Sequence, residues 1–203
     1  MRKILLTATA VTCLALAGCD GSTGGTDSGN GPSTPEPSAT ASPAPGGAAL
    51  DLGTPARTVG AKTVGILEIT PMTVVHAAKS GEVTAEYGTF VVVTMRDKSL
   101  TANPADEETA AAGGGWKWVE PSGRTTAAGN GNAARVVLAK YNNHGPIQPG
   151  DSQLRAQVFD LTPAQAKNGS ALYTDGTKAP YRWAIPAQDS GPDVAEVGQQ
   201  LNP

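Results

Sequence analysis

Most of the chemistry on offer in these 203 residues lies in two histidines, two cysteines, a run of carboxylates and a pair of tryptophans. Asp106-Glu107-Glu108 stands between Asn103-Pro104 and the Gly113-Gly114-Gly115 run, so it reads as an acidic loop. Three adjacent carboxylates could contribute to a calcium site, which needs many oxygens, but the spacing of an EF-hand is missing. They are the sole metal candidates. Trp116 and Trp118 flank Lys117, and in an extended strand residues two apart share a face. Turned inward, the two indoles fill a core; turned outward, they make a platform for sugar rings. Lys117 on the opposite face favours the inward arrangement. His76 ends a predicted strand, and His144 lies in the loop Asn142-Asn143-His144-Gly145-Pro146. Neither comes with a Gly-x-Ser-x-Gly elbow or a His-x-x-x-His spacing, so neither a nucleophilic triad nor a zinc site is indicated. Trp116, Trp118 and His144 are therefore the candidate ligand contacts, and no residue is assigned a catalytic role.

The composition places these residues in an unusual chain: 25 Gly, 16 Pro, 39% hydrophobic and only 16% charged. Fifteen Lys and Arg against eighteen Asp and Glu give a net charge of −3. There is no basic excess to neutralise phosphates, which argues against a nucleic-acid partner. Met1-Arg2-Lys3 precedes a mostly apolar run over residues 4–16. That run is shorter than the roughly 20 residues a membrane span requires, and it has the flanks of a signal peptide. It ends in Leu16-Ala17-Gly18-Cys19, which resembles the lipobox of bacterial lipoproteins. The resemblance implies a signal peptide over residues 1–18, cleavage before Cys19, and a diacylglyceryl group on the Cys19 thiol. It also implies residence at the extracytoplasmic face of the cell membrane, held there by the lipid. Cleavage removes Arg2 and Lys3 and takes the formal charge from −3 to −5. Cys13 would go with the signal and Cys19 to the lipid, leaving no thiol for a disulfide, a zinc site or a nucleophile. Two acyl chains suffice for stable anchoring.

Residues 19–53 are dominated by Gly, Ser, Thr and Pro and read as a flexible linker. Residues 187–203 are polar, with Gly191-Pro192 and Asn202-Pro203, and read as a disordered tail. Between them, residues 54–186 are enough for one hydrophobic core. The pattern there is β: strands are predicted at 63–70, 73–77, 90–95, 116–120, 124–127, 134–141, 152–159, 171–174 and 180–185. Residues 90–95 are apolar at both parities, as an interior strand should be. In 152–159, Leu154, Ala156 and Val158 alternate with Arg155 and Gln157, the pattern of a strand with one wet face. Thr162-Pro163-Ala164-Gln165 is a capping-box arrangement that opens one short helix.

The strand pair at the start, Phe90-Val91-Val92-Val93, the Pro149-Gly150 turn, the strand ending Val158-Phe159-Asp160 and the closing hairpin together resemble immunoglobulin-like domains of extracytoplasmic bacterial lipoproteins, most of unknown function. The resemblance implies an all-β, immunoglobulin-like β-sandwich of seven or eight strands with one short helix. It also implies a non-catalytic, lipid-anchored module for binding or adhesion, its partner an envelope protein or a cell-wall component. The rival expectation is a carbohydrate-active enzyme or carbohydrate-binding module of the cell wall, using carboxylates among Asp106, Glu107, Glu108 and Glu120 near the tryptophan pair. Exposed tryptophans beside a carboxylate cleft would favour the rival; buried tryptophans without a cleft would favour the module.

Overall fold

The structure is a computed structural model, and it describes residues 47–202. The lipobox, the signal peptide and most of the linker lie outside the described residues. Eleven strands form three open sheets among these residues. The strands are β1 (Leu50–Asp51), β2 (Ala56–Val59), β3 (Ile66–Ala77), β4 (Lys79–Ser80), β5 (Val83–Thr84), β6 (Thr89–Ser99), β7 (Gly115–Val119), β8 (Thr125–Ala127), β9 (Ser152–Leu161), β10 (Ser170–Thr174) and β11 (Pro180–Ala184). Two α-helices join them, α1 (Pro163–Ala166) and α2 (Val194–Leu201).

The five-stranded sheet runs β1-β11-β10-β7-β8 and the four-stranded sheet β2-β3-β6-β9; β4 and β5 form a separate pair. All pairings are antiparallel except that of β1 with β11. Residues 63–77 are not two strands divided by Pro71. They contain one twelve-residue strand, β3, with a bulge between Pro71 and Thr73. Proline cannot donate to the ladder, and an extra residue beside it lets pairing resume. The bulge also switches parity: Leu67 and Ile69 face the same core as Val74.

The main core lies between the two larger sheets. Val91, Val93 and Met95 of β6 and Phe159 and Leu161 of β9 meet Trp116, Trp118, Tyr173 and Trp183 from the other side. Trp116 stacks at 5.1 Å from Tyr173 and 5.6 Å from Trp183, and Trp118 lies 5.7 Å from Phe159. Each indole N–H is satisfied: Trp118 donates to Gln165 O at 2.9 Å and Trp183 to Thr54 O at 2.8 Å. The Trp116 N–H donates to Glu107 Oε1 at 2.6 Å.

A second core explains why the immunoglobulin-like β-sandwich is not what forms. Phe90 and Val92 point away from the first core and are covered by Ala133, Leu138, Tyr141, Val197 and Leu201. The architecture is a mixed α/β one of three open sheets with two helices, not a sandwich of seven or eight strands with one short helix. Residues 134–141, expected as a strand, belong instead to this cover, which includes two single-turn 3-10 helices at Ala133–Arg135 and Ala139–Tyr141. The expected disordered tail supplies the rest. Ser190 exchanges backbone hydrogen bonds with Val74, and the Asp193 N–H donates to Thr73 Oγ1 at 3.2 Å. Helix α2 then buries Val197 and Leu201 completely. In α1, Thr162 and Gln165 form the reciprocal capping box.

Candidate functional site

The face of the four-stranded sheet that looks toward the five-stranded sheet changes character along its length. On β6 the inward series is Val91, Val93, Met95 and then Asp97. On β9, Phe159, Gln157 and Arg155 stand opposite Val91, Val93 and Met95 in register. The apolar core thus becomes polar toward the end of β6, and a cavity of about 360 Å³ opens there. Its walls include Asp106, Glu107, Glu108, Trp116, His144 and Gln157, with Arg155 reaching in from β9.

The acidic loop is pinned from several directions. The Ala105 and Ile147 backbones bond reciprocally, at 3.1 and 2.8 Å, and the Ala61 N–H donates to Asp106 O at 2.8 Å. The Glu108 N–H donates to the Tyr173 hydroxyl at 2.7 Å. Gly115, at φ 75° and close to the Thr109 and Ala110 backbone, lets β7 start directly beneath this loop.

Arg155 is the hub, and only 5% of it is exposed. Its Nη1 donates to Asp106 Oδ1 at 2.9 Å and lies 3.6 Å from Glu107 Oε2. Nη2 donates to Gly145 O and to Gln153 Oε1, while Nε lies 3.6 Å from Asp97 Oδ2. Three carboxylates thus share one guanidinium. Glu108 turns instead toward Lys178, at 3.7 Å. Burial drives the Asp97 carboxyl well above the ordinary carboxylate value; the Glu107 charge adds to the rise and Arg155 opposes it. Burial also raises Glu107, against the pull of Arg155 and of the Trp116 N–H. As carboxylate oxygens, both Asp97 Oδ atoms lack a hydrogen-bonding donor; with a proton on Asp97 the pair becomes donor and acceptor. Burial lowers Arg155, but Glu107 and Asp97 outweigh it and hold the guanidinium above its usual value. Tyr173 is pushed up by burial and by the Glu107 charge.

Five sequence candidates meet here: Asp106, Glu107, Glu108, Trp116 and His144. His144 is exposed on the rim, with Nε2 2.8 Å from Asn142 Oδ1. Trp118 does not join them, because its indole is fully buried against Phe159. Glu120 is also elsewhere, accepting from Gln165 Nε2 at 2.9 Å. Trp116 is 4% exposed, so the pair forms no open aromatic platform. The test posed by the sequence therefore has a divided outcome: the tryptophans are buried, and yet a carboxylate cleft exists. Asp97, Arg155 and Gln157 were missed. Among the described residues no group of three His, Cys, Asp or Glu is arranged to hold a metal ion.

Fold and site together define a mixed α/β domain with an acidic, arginine-centred cleft at one end of its main core. No family model matches the sequence, and no curated protein matches it. Among solved structures the chain is similar to a conserved hypothetical protein from Bacillus anthracis, known from a 2.2 Å crystal structure. The two are 15% identical, with a TM-score of 0.46, over 66% of this chain and 94% of that one. The expectation of an immunoglobulin-like adhesion module is withdrawn with the fold that implied it.

Proposed function

We propose that this chain is a lipid-anchored extracytoplasmic protein whose folded part binds a small, polar, cationic ligand in the Asp106–Glu107–Glu108 cleft. One observation carries the reading: three consecutive carboxylates line a cavity in which Arg155 is the one Lys or Arg among the described lining residues. Asp106 engages Arg155 and the Glu107 N–H through Oδ1 alone, and its side chain is 33% exposed. It is the carboxylate best placed to meet a ligand. Gln157 and His144 add hydrogen-bonding groups, and the Trp116 edge gives one apolar wall. An amine or guanidinium would replace water with charge-assisted hydrogen bonds in a partly desolvated site. The membrane address and the diacylglyceryl group on Cys19 belong to the same proposal and rest on the N-terminal sequence.

Calorimetric titration of the full-length protein in detergent tests the cleft. Methylguanidinium and 1,5-diaminopentane are the probes, with acetate as the anionic control. Saturable binding of a cation, weakened about tenfold or more by Asp106→Asn, is expected for loss of one charged contact. Equal binding of acetate, or cation binding indifferent to Asp106→Asn, would overturn the reading.

A further inference from the structure

Exposure falls steadily around Arg155, from 33% for the Asp106 side chain to 11% for Glu107 and 0% for Asp97. Asp97 lies behind the cavity wall rather than on it, and both its oxygens are shut off from solvent with no donor bonded to them. Arg155 Nε is orphaned in the same way, and it stands 3.6 Å from Asp97 Oδ2, just beyond hydrogen-bonding distance. One guanidinium cannot neutralise three carboxylates away from water, and a buried carboxylate that accepts no hydrogen bond is costly. A proton on Asp97 removes that charge and makes its hydroxyl a donor to Glu107, as burial and the Glu107 charge both favour. The other ionisable groups facing the pair are Asp106 from the same loop as Glu107 and the Tyr173 hydroxyl from β10, which burial keeps protonated. From β3, Ile69 stands opposite Asp97. Glu108 turns to Lys178, and His144 stands on the rim.

We propose that the Asp97–Glu107 pair holds one proton before a ligand enters the acidic cleft and releases it when a cation binds. The inference rests on the cationic reading of the cleft and adds its regulation by pH. The ligand meets Asp106 at the mouth and needs no contact with Asp97. Its positive charge, placed among Asp106, Glu107 and Glu108, lowers the cost of a further negative charge behind them. The Asp97 O–H bond then breaks, its electron pair stays on the carboxylate, and the proton passes by way of Glu107 and the cleft to the buffer. A monovalent cation in and a proton out leave the net charge of the cluster unchanged. The new carboxylate draws in the Arg155 Nε–H, so two orphaned atoms gain a partner in the bound state. Binding therefore strengthens as pH rises, because the proton and the ligand compete for the same negative charge.

Calorimetric titration of the full-length protein in detergent with methylguanidinium, repeated from pH 6 to 8 in phosphate and in ACES, counts the protons. The two buffers differ in heat of ionisation, so the difference in binding heat reports the protons released per ligand. The expected result is release of about half a proton or more, with affinity rising about threefold or more per pH unit. Asp97→Asn keeps a donor toward Glu107 but has no proton to give, so the release and the gain in affinity at higher pH should both be lost. His144→Gln removes the imidazole on the rim and should leave the release in place. Infrared difference spectra of the parent chain need no variant, and a protonated-carboxyl C=O band should disappear on binding. No proton released in this range, no carboxyl band lost, or release abolished by His144→Gln instead of Asp97→Asn would each overturn the linkage while leaving cation binding established. Failure of the parent chain to bind the cation at all would overturn both readings.

Discussion

Asp97 is a carboxylic acid with no access to water. It is fully buried, shares Arg155 with two other acids, and was absent from the sequence reading. The reason is instructive. Arg155 and Gln157 alternate with Leu154, Ala156 and Val158, and the natural reading put the polar set on a wet outer face. The apolar set in fact faces the second core, while the polar set continues the line of Phe159 between the sheets and into the cleft. Alternation reveals two faces but not which one is inside, and a strand with two cores has no outside to give the answer. The raised carboxyls make a prediction at this scale. A carboxyl held above its unfolded value keeps its proton longer when folded, so its stabilising contribution is complete below the unfolded value and falls as pH rises through the folded one. For Asp97 and Glu107 that window opens at the ordinary values of 3.8 and 4.5 and extends upward. Thermal melts from pH 4 to 8 should therefore show a decline with pH beyond what the other groups impose. Asp97→Asn, which cannot ionise, should flatten that slope, and a slope unchanged by the substitution would refute the assignment.

At the scale of elements, the hairpins were the most legible parts. Pro121-Ser122-Gly123 joins β7 to β8, and Asp175-Gly176 lies in the loop joining β10 to β11. The reason is local: turn residues set their own geometry and need no distant partner. Helix α2 is the counterexample. Val194, Val197 and Leu201 have the i, i+3, i+7 spacing of one helical face, but the intervening Glu196, Gly198, Gln199 and Gln200 made the segment look like a solvated tail. Eight residues cannot sustain a helix in water alone; α2 exists because β3 and β6 offer an apolar face to cover it. Leu201 is fully buried there, and its carbonyl accepts the Gly81 N–H at 2.8 Å. Leu201→Ala should cost about 2–5 kcal/mol, the range for a large-to-small change in a core. Urea denaturation would measure it. A cost below about 0.5 kcal/mol, typical of a surface position, would mean that the helix is not docked as described.

For the molecule as a whole, burial demand is legible in the sequence where topology is not. Residues 90–95 are apolar at both parities, which requires a cover on each face of that strand. A two-sheet arrangement provides one such cover, and the missing one had to come from segments that did not look like structure. Residues 133–141 and α2 are that cover, and together they turn a two-layer expectation into a mixed α/β arrangement. At one end of the main core the inward positions turn polar: Asp97 and Arg155 are buried, and Arg155 and Gln157 line the acidic cavity. The proposed cellular address obeys a different logic, because a contiguous stretch that needs no fold would carry it. If Leu16-Ala17-Gly18-Cys19 directs lipidation, the anchor depends on one sulfur atom. Each buried methylene of an acyl chain contributes about 0.8 kcal/mol, and two chains hold a protein at a membrane where one does so only marginally. Cys19→Ala removes the attachment point and leaves residues 47–202 untouched. Fractionation of cells expressing each form should find the parent chain with the membranes and the variant released from them or retained as an unlipidated precursor. Mass spectrometry of the N-terminal peptide distinguishes those two fates. A parent chain that carries no lipid on Cys19 would refute the proposed anchor.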